Sequence, residues 1–194
     1  MQSNANHPDF DRFFVLTGGP GSGKTTLISA MGKAGFHSTA EAGRAIIRNH
    51  AAIGGPALPW NDPALFAELM LSWEMRSHAL ASALAGPVFF DRGIPDIAGY
   101  LHVSGLPVPG HVKAAAAARR YNRKVFILPP WREIFGKDSE RKQDFDEAVR
   151  THEAMAEVYT ALGYELVTVP CLPVGERRRF VLAAAGLGNS AATG

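Results

Sequence analysis

The sequence predicts an α/β domain built around a parallel sheet, because short apolar segments alternate with longer helical patterns along the chain. The apolar segments are rich in Val, Ile, Leu or Phe, and residues that break regular structure follow them. Segments of this kind are typical of strands that are buried on both faces. The predicted strands cover residues 13–17, 36–40, 87–90, 125–128 and 166–169.

Four segments between these strands carry the periodicity of amphipathic helices. The clearest one has Asp62 as a candidate N-cap and Pro63 at the first helical position, and apolar residues recur on one helix face behind them. These apolar residues are Phe66, Leu69, Met70 and Trp73. The predicted helices cover residues 27–34, 42–52, 63–84 and 145–162, and the Ala-rich stretch 114–118 is also a good helix former.

The composition is that of an ordinary globular domain and excludes several classes of protein. With 194 residues, 46% of them hydrophobic, the chain is long enough for one domain with a proper core. A net charge of +2 predicts no nucleic-acid partner and no membrane partner. The single Cys171 excludes an internal disulfide and a Cys-based zinc site. Because the N-terminus is polar and no apolar stretch has the length of a membrane span, we expect a cytoplasmic protein.

Residues 18–25 match the phosphate-binding pattern G-x-x-x-x-G-K-[ST] in full, between a predicted strand and a predicted helix. Glycines let the backbone wrap around a phosphate, and N–H groups at the start of the helix supply positive potential. Lys24 would reach the β- and γ-phosphates, and the Thr25 hydroxyl would bind Mg²⁺. A Gly-rich turn without a ligand is the alternative. The expected nucleotide contacts are Gly18, Gly19, Pro20, Gly21, Ser22, Gly23, Lys24, Thr25 and Thr26.

The rest of the chain favours ATP over GTP as the nucleotide. A GTPase normally carries an N-K-x-D motif that reads the guanine base, and the nearest string in this sequence, at residues 122–125, has no Asp. We therefore expect ATP and Mg²⁺ to be the cofactors.

An Asp–Arg pair follows the third predicted strand, at the edge of the sheet where ligands bind in open α/β proteins. Asp91 could hold Mg²⁺, directly or through water, or could accept the proton of an attacking hydroxyl. Arg92 could clamp a phosphate or the acceptor of the phosphoryl group. Because Asp is also a good N-cap, the alternative is that Asp91 only starts a helix.

Glu41 follows the second predicted strand and opens a helix, so it is expected at the same edge of the sheet. It could act as a general base or bind the hydroxyls of an acceptor. Arg44 and Arg48 follow on the same predicted helix face. The alternative is a first-turn carboxylate that only complements the helix dipole.

A basic segment after the fourth predicted strand, residues 131–143, has the position of the mobile lid in small P-loop kinases. Its cations are Arg132, Lys137, Arg141 and Lys142, and Arg141 is the strongest candidate to cover the transferring phosphoryl group. Acidic residues alternate with these cations, so a solvated helix face is an equal alternative. A second basic cluster, at 119–124, is better explained by cations at a helix C-terminus than by nucleic-acid binding.

Together these segments resemble a family of predicted ATPases that is labelled AAA and is related to the kinase domain of NadR-type nicotinamide riboside kinases. The resemblance rests on residues 17–26, 41–48, 89–96 and 121–126 and on Asp138-x-x-Arg141-x-Gln143. It implies a single three-layer P-loop NTPase domain of kinase type, with a five-stranded parallel sheet in the order 2-3-1-4-5. The expected organisation is a flexible N-terminus over 1–12, a domain over 13–182 that includes the lid, and a tail over 183–194.

The resemblance also implies roles for individual residues. Residues 18–25 become the nucleotide site, Asp91 a Walker-B-like acid, and Arg92 part of a D-R motif similar to that of thymidylate and deoxynucleoside kinases. Glu41 takes the place of the carboxylate base of deoxynucleoside kinases. The Gly-Ile-Pro that follows Arg92 departs from those kinases, so the side of their site that reads the nucleoside is not carried over.

Two functions agree with this pattern. The favoured one is a kinase that uses Mg²⁺ and ATP to phosphorylate a small hydroxyl-bearing acceptor, for example a nucleoside-like molecule. The alternative is a nucleotide-dependent switch with slow hydrolysis and a macromolecular partner. Two acids near the P-loop favour transfer, because a water molecule would need fewer polar groups. The expected catalytic residues are Lys24, Asp91, Arg92, Glu41 and Arg141, and the expected metal ligands are Thr25 and Asp91.

Overall fold

A computed structural model describes residues 10–136 and 144–188. Within them, five parallel strands form one sheet in the order β2-β3-β1-β4-β5, which confirms the predicted fold class. The strands are β1 (Phe13–Gly18), β2 (His37–Ser38), β3 (Val88–Asp91), β4 (Lys124–Leu128) and β5 (Glu165–Thr168). The helices are α1 (Lys24–Lys33), α2 (Ala42–Ile53), α3 (Pro63–Ala81), α4 (Ile94–Val103), α5 (Gly110–Ala118), α6 (Phe145–Ala161) and α7 (Val174–Ala184).

The core has two layers of side chains, one on each face of the sheet. Successive residues of a strand point to opposite faces, so Phe13 and Val15 lie in one layer and Phe14 and Leu16 in the other. One layer joins the sheet to α1 and α7 through Leu27, Met31 and Val181. The other joins it to α3 and α6 through Ala81 and Tyr159. These two layers hold β1 at the centre of the domain, where the P-loop leaves it.

The prediction that every strand is buried on both faces is wrong for the two edge strands. Both residues of β2 are exposed, and β5 is only partly buried. An edge strand has a neighbour on one side only, and helices cover it less completely than they cover central strands. The predicted strand 36–40 therefore shortens to the two residues that pair with β3.

Regular structure extends slightly beyond both ends of the predicted domain, 13–182. Phe10–Arg12 forms a 3₁₀ turn, and the Arg12 guanidinium donates hydrogen bonds to the carbonyl oxygens of Leu84 and Gly86, 2.7 and 3.1 Å away. This part of the predicted flexible segment is therefore tied to the end of α3. At the other end, α7 continues past the predicted boundary at residue 182 to Ala184. None of the helices in the described part of the chain is long and apolar enough to cross a membrane.

Candidate functional site

The P-loop runs from the end of β1 to the start of α1 and needs glycine at most of its turns. Gly23, the residue before α1, has a φ of 81°, in the left-handed region that other residues rarely adopt. A Cβ at Gly19 would overlap the backbone oxygen of Ala148 in α6. The motif therefore supplies a loop that bends tightly and also lets α6 pack against its backbone.

Lys24 begins α1, and its side chain is folded back onto the loop. Only 6% of Lys24 is exposed, and its ammonium donates hydrogen bonds to the carbonyl oxygens of Gly18 and Gly19, at 2.9 and 2.6 Å, and to Ser22 Oγ at 3.2 Å. Burial, and secondly the Arg92 charge, lower the pKa of Lys24 to about 7. The predicted reach toward a phosphate thus requires the ammonium to exchange these loop oxygens for phosphate oxygens.

The two threonines after Lys24 are open to solvent. Thr25 and Thr26 occupy the first turn of α1, and both side chains are exposed. A helix start with free hydroxyls and N–H groups suits an anion and its counter-cation. Both residues thus lie where a nucleotide on the loop could reach them.

Asp91 ends β3 beside Leu16 of β1, next to the P-loop. Its backbone N–H donates a hydrogen bond to Thr39 Oγ1 at 3.2 Å. Its side chain is 3% exposed, and Oδ1 has no hydrogen-bond partner among the described residues. Burial, and secondly the Glu41 charge, raise the pKa of Asp91 to about 6. A buried acceptor oxygen without a donor suits a metal ion or a ligand hydroxyl.

Arg92 has a φ of 74°, the one positive value among the described non-glycine residues. Its backbone N–H donates to Leu16 O, and its Nη1 donates to Gly18 O at 3.1 Å, so it bridges β3 and the P-loop. The guanidinium also lies 3.3 Å from Asp96 Oδ1 and 3.8 Å from Glu41 Oε1. Burial disfavours the charge of Arg92, but Asp96, Glu41 and Asp91 outweigh it and raise its pKa.

Asp96 is the central residue of a buried network that the sequence analysis did not identify. This carboxylate is 5% exposed and accepts hydrogen bonds from Thr17 Oγ1 at 2.5 Å, from the Tyr159 hydroxyl at 2.7 Å and from the Gly93 N–H at 2.9 Å. With its contact to Arg92, it ties β1, α4 and α6 to the Asp–Arg pair. The i+4 spacing from Arg92 to Asp96 on a helix start was the available sequence signal.

Glu41 is brought to the same edge of the sheet, as predicted from its position after β2. It precedes α2, its side chain makes no capping hydrogen bond, and its Oε2 lies 3.1 Å from Arg44 Nε. Arg44 therefore shares the helix face of Glu41, as expected, and also contacts it, while Arg48 lies one turn further along α2 with an exposed side chain. Through Arg92, Glu41 is joined to the P-loop.

Glu74 is a further acid that the sequence analysis missed. It lies on the inner face of α3, is 2% exposed, and its Oε2 has no hydrogen-bond partner among the described residues. Burial, and secondly the charges of Asp96 and Asp91, raise the pKa of Glu74 well above its usual range, which favours its neutral form. A charged residue on an amphipathic helix is normally expected on the solvent side, which explains why the pattern did not indicate it.

Arg177 of α7 reaches the other side of the P-loop. It is 4% exposed, and its Nη2 donates a hydrogen bond to Ser22 O at 2.8 Å. The guanidinium lies 5.7 Å from the centre of the Trp131 ring, and Nε has no partner within the described residues. Burial lowers the pKa of Arg177. No pattern in the sequence distinguishes this buried arginine from the adjacent Arg178 and Arg179.

The basic segments divide into two groups. Of the lid cations, Arg132 lies 3.9 Å from the centre of the Phe145 ring, whereas Lys137, Arg141 and Lys142 lie outside the described residues. In the cluster at 119–124, Arg120 lies over the Tyr164 ring and donates to Leu162 O at 3.0 Å, and Lys124 Nζ donates to Ala184 O at 2.8 Å. These contacts support the structural explanation of the second cluster.

A cleft of about 510 Å³ lies between α2 and α3, beside the exposed edge of β2. Its volume is within the range of about 300–1,000 Å³ that is common for small-molecule sites. Thr39 and Ala40, which line the cleft, directly precede Glu41, and Thr39 also binds the backbone of Asp91. Trp73 and Arg76 of α3 line the opposite wall. Within the described residues, no three His, Cys, Asp or Glu side chains form a metal cluster.

Comparisons with known proteins agree with the fold described above. A family model described as an AAA domain matches residues 13–177. The solved structure of a NadR protein in complex with NR has a TM-score of 0.71 and 18% identity, over 93% of this chain and 52% of that one. A deoxyadenosine kinase from M. mycoides has a TM-score of 0.65 and 14% identity, over 90% of this chain and 98% of that chain.

A thymidylate kinase from Ehrlichia chaffeensis is similar at a TM-score of 0.61 and 14% identity, over 91% of this chain and 98% of that chain. Likenesses at this level of identity show the fold. The chain spans about half the length of the NadR protein that it resembles. A search of curated proteins finds no match.

Proposed function

Since a family model matches most of its length, this chain belongs to the AAA domain family, and we propose that it is a kinase that uses Mg²⁺ and ATP to phosphorylate a small hydroxyl-bearing acceptor. The fold that it shares with nucleoside and nucleotide kinases supports a kinase-like NTPase. One observation carries the finer proposal. Asp91 keeps a buried oxygen that has no partner among the described residues, at the sheet edge where Arg92 joins the P-loop to Glu41.

The P-loop would hold the nucleotide. Backbone N–H groups of residues 18–26 and the start of α1 would surround the β-phosphate, and Lys24 would neutralise the β- and γ-phosphates after leaving the loop carbonyls. Thr25 and Asp91 fit Mg²⁺, because Thr25 offers an exposed hydroxyl and Asp91 a buried oxygen to which no described residue donates a hydrogen bond. When bound, Mg²⁺ would supply charge neutralisation at the phosphates.

The transfer would be an in-line displacement at the γ-phosphorus. The acceptor oxygen forms a bond to that phosphorus, the bond to the β,γ-bridging oxygen breaks, and ADP leaves with the electron pair. The hydroxyl proton passes to Glu41 or Asp91, which lie where an acceptor must sit to face the phosphate. Arg92 would stabilise the charge that develops on the transferred group, because it already touches the loop at Gly18. Arg141 is proposed as the lid residue that covers this group.

The experiment is a two-stage acceptor search. A thermal-shift screen of nucleosides, vitamins and sugars, with Mg²⁺ and an unhydrolysable ATP analogue, identifies compounds that bind the folded protein. ADP production is then measured for the wild type and for Glu41→Gln, with and without the compounds found. We expect an acceptor to raise ADP production, and Glu41→Gln to reduce transfer while basal hydrolysis is preserved. Slow ADP formation that no small molecule stimulates would instead support the nucleotide-dependent switch.

A further inference from the structure

We propose that the acceptor is a neutral or cationic molecule and that the site discriminates against acceptors that already carry a phosphate. The inference rests on the proposed function, because it names the charge class of the molecule that binds at the same site. The fold alone does not distinguish an acceptor that carries a phosphate from one that does not. The charges around Asp91 and Glu41 favour an acceptor without a phosphate.

The two cations that contact Glu41 already have carboxylate partners. Arg92 forms ion pairs with Asp96 and Glu41, at 3.3 and 3.8 Å, and Arg44 pairs with the other oxygen of Glu41 at 3.1 Å. Recognition of a phosphate normally uses guanidinium groups that present their N–H donors to the anion. A phosphate in this position would have to displace carboxylates that are held by buried hydrogen bonds, such as that of Asp96.

The acids on this side are less completely compensated than the cations. Asp91 Oδ1 and Glu74 Oε2 are both buried, and neither has a donor among the described residues. Burial raises the pKa of Glu74 and so favours its protonated form, which offers both an O–H donor and an acceptor oxygen, while Asp91 presents a buried carboxyl oxygen. Such a lining suits hydroxyl, amide or cationic groups. An arriving anion would meet Glu41, Asp91 and Asp96 in a site where like charges are costly.

The test uses pairs of acceptors that differ only by a 5′-phosphate. Adenosine, cytidine, thymidine and nicotinamide riboside are each compared with their monophosphates, by thermal shift with Mg²⁺ and an unhydrolysable ATP analogue and by ADP production with ATP. We expect the unphosphorylated member of any pair that binds to be favoured by about tenfold or more in kcat/KM, because like-charge contacts are unfavourable in a desolvated site. A monophosphate that is preferred over its nucleoside would overturn the inference and leave the proposed kinase function standing.

Two variants locate the source of the discrimination. Glu41→Gln keeps the shape of the side chain and removes the charge that Arg92 and Arg44 share, so binding of the monophosphates by thermal shift should improve several-fold relative to the nucleosides. Glu157→Gln, an exposed change on α6, is the matched control and should leave the ratio unchanged. Arg76→Gln, in the cleft between α2 and α3, tests for a phosphate subsite, and loss of monophosphate binding in this variant would overturn the inference.

Different results would contradict the proposed kinase function and the proposed charge class of the acceptor. If no compound of either set stimulates ADP production or shifts the melting temperature, the kinase function is wrong and the charge class falls with it. If nucleosides and monophosphates perform equally in the wild type, only the charge class is wrong. Circular dichroism of each variant confirms that a loss of binding does not come from unfolding.

Discussion

The two sides of the P-loop differ in how their charges are balanced. On the side of β3 and α2, Arg92 and Arg44 are paired with carboxylates, and one oxygen of Asp91 has no donor among the described residues. On the side of α7, the buried Arg177 contacts a carbonyl oxygen and an aromatic ring, with no carboxylate contact in the described part of the chain. In the function proposed above, the polyanionic nucleotide would bind to the loop and the α7 side, and the less charged acceptor would bind to the α2 side.

The largest effect is expected at Lys24, which lies in the P-loop between the two sides. Lys24→Ala should lower the affinity for Mg²⁺-ATP by about 30- to 100-fold, because a charge-assisted contact to phosphate is worth about 2–3 kcal/mol. Isothermal titration calorimetry measures the change, and Lys33→Ala at the exposed end of α1 is the matched control. Wild-type affinity in a folded Lys24→Ala variant would show that the nucleotide does not bind to this loop.

The second-largest effect is expected at Asp91, on the β3 side of the P-loop. Asp91→Asn keeps the shape of the side chain and removes the charge, so the Mg²⁺ concentration for half-maximal ADP production should rise by about tenfold. Thr25→Ala should act in the same direction. The melting temperature of Asp91→Asn should not fall above pH 6, since the raised pKa of Asp91 shows that its ionised form is unfavourable in the folded protein. Unchanged Mg²⁺ titrations in both variants would exclude these two ligands.

Arg177→Ala tests the α7 side directly. The guanidinium holds Ser22 O, so its loss should leave the loop less well ordered and lower ATP affinity by about three- to tenfold, or about 1 kcal/mol. Arg179→Ala, an exposed change on the same helix, should leave the affinity unchanged. Partial recovery with Arg177→Lys would identify the charge as the cause. Equal effects of the Arg177 and Arg179 substitutions on ATP affinity would contradict a specific role of Arg177 on the α7 side of the P-loop.

The smallest effect is a pH window for nucleotide binding. Below about pH 6 Asp91 gains a proton and loses Mg²⁺ affinity, and above about pH 7 Lys24 of the free protein loses its charge. Affinity for Mg²⁺-ATP should therefore be highest between these values and should be reduced by about twofold at each of the two pKa values, since each group is half-titrated there. Calorimetry from pH 5 to pH 9 measures the profile. Asp91→Asn should remove the acid limb and keep the alkaline one.

The sequence indicated the residues at the centre of the candidate site, but not the buried residues that hold them in place. The phosphate loop, Asp91, Arg92 and Glu41 are readable because each follows a strand, and parallel strands bring their carboxyl ends to one edge. Asp96 and Arg177 were not singled out, because their partners Thr17, Tyr159 and Ser22 are distant in the chain. No local periodicity reports such contacts.

The same reasoning explains the errors in the elements. Helix α4 was not predicted as an element, although its first turn contains a proline that is compatible with a helix start. Helix α7 carries three consecutive arginines and only one of them is buried, so its apolar stripe is weak in the sequence. Strand β2 was predicted too long because Phe36 packs against the core beside the sheet without pairing in it.

The close packing of Gly19 against α6 has a consequence for how this sequence can vary. The general motif tolerates many residues at position 19, but here a side chain would overlap the backbone of Ala148 and push α6 outward. The same helix carries Tyr159, whose hydroxyl holds Asp96 and through it Arg92. Because packed interiors transmit such displacements, a substitution in the nucleotide loop would change the acceptor side as well. Evolutionary drift at Gly19 is thus constrained by α6, a helix outside the phosphate-binding motif, and compensation would have to arise in that helix.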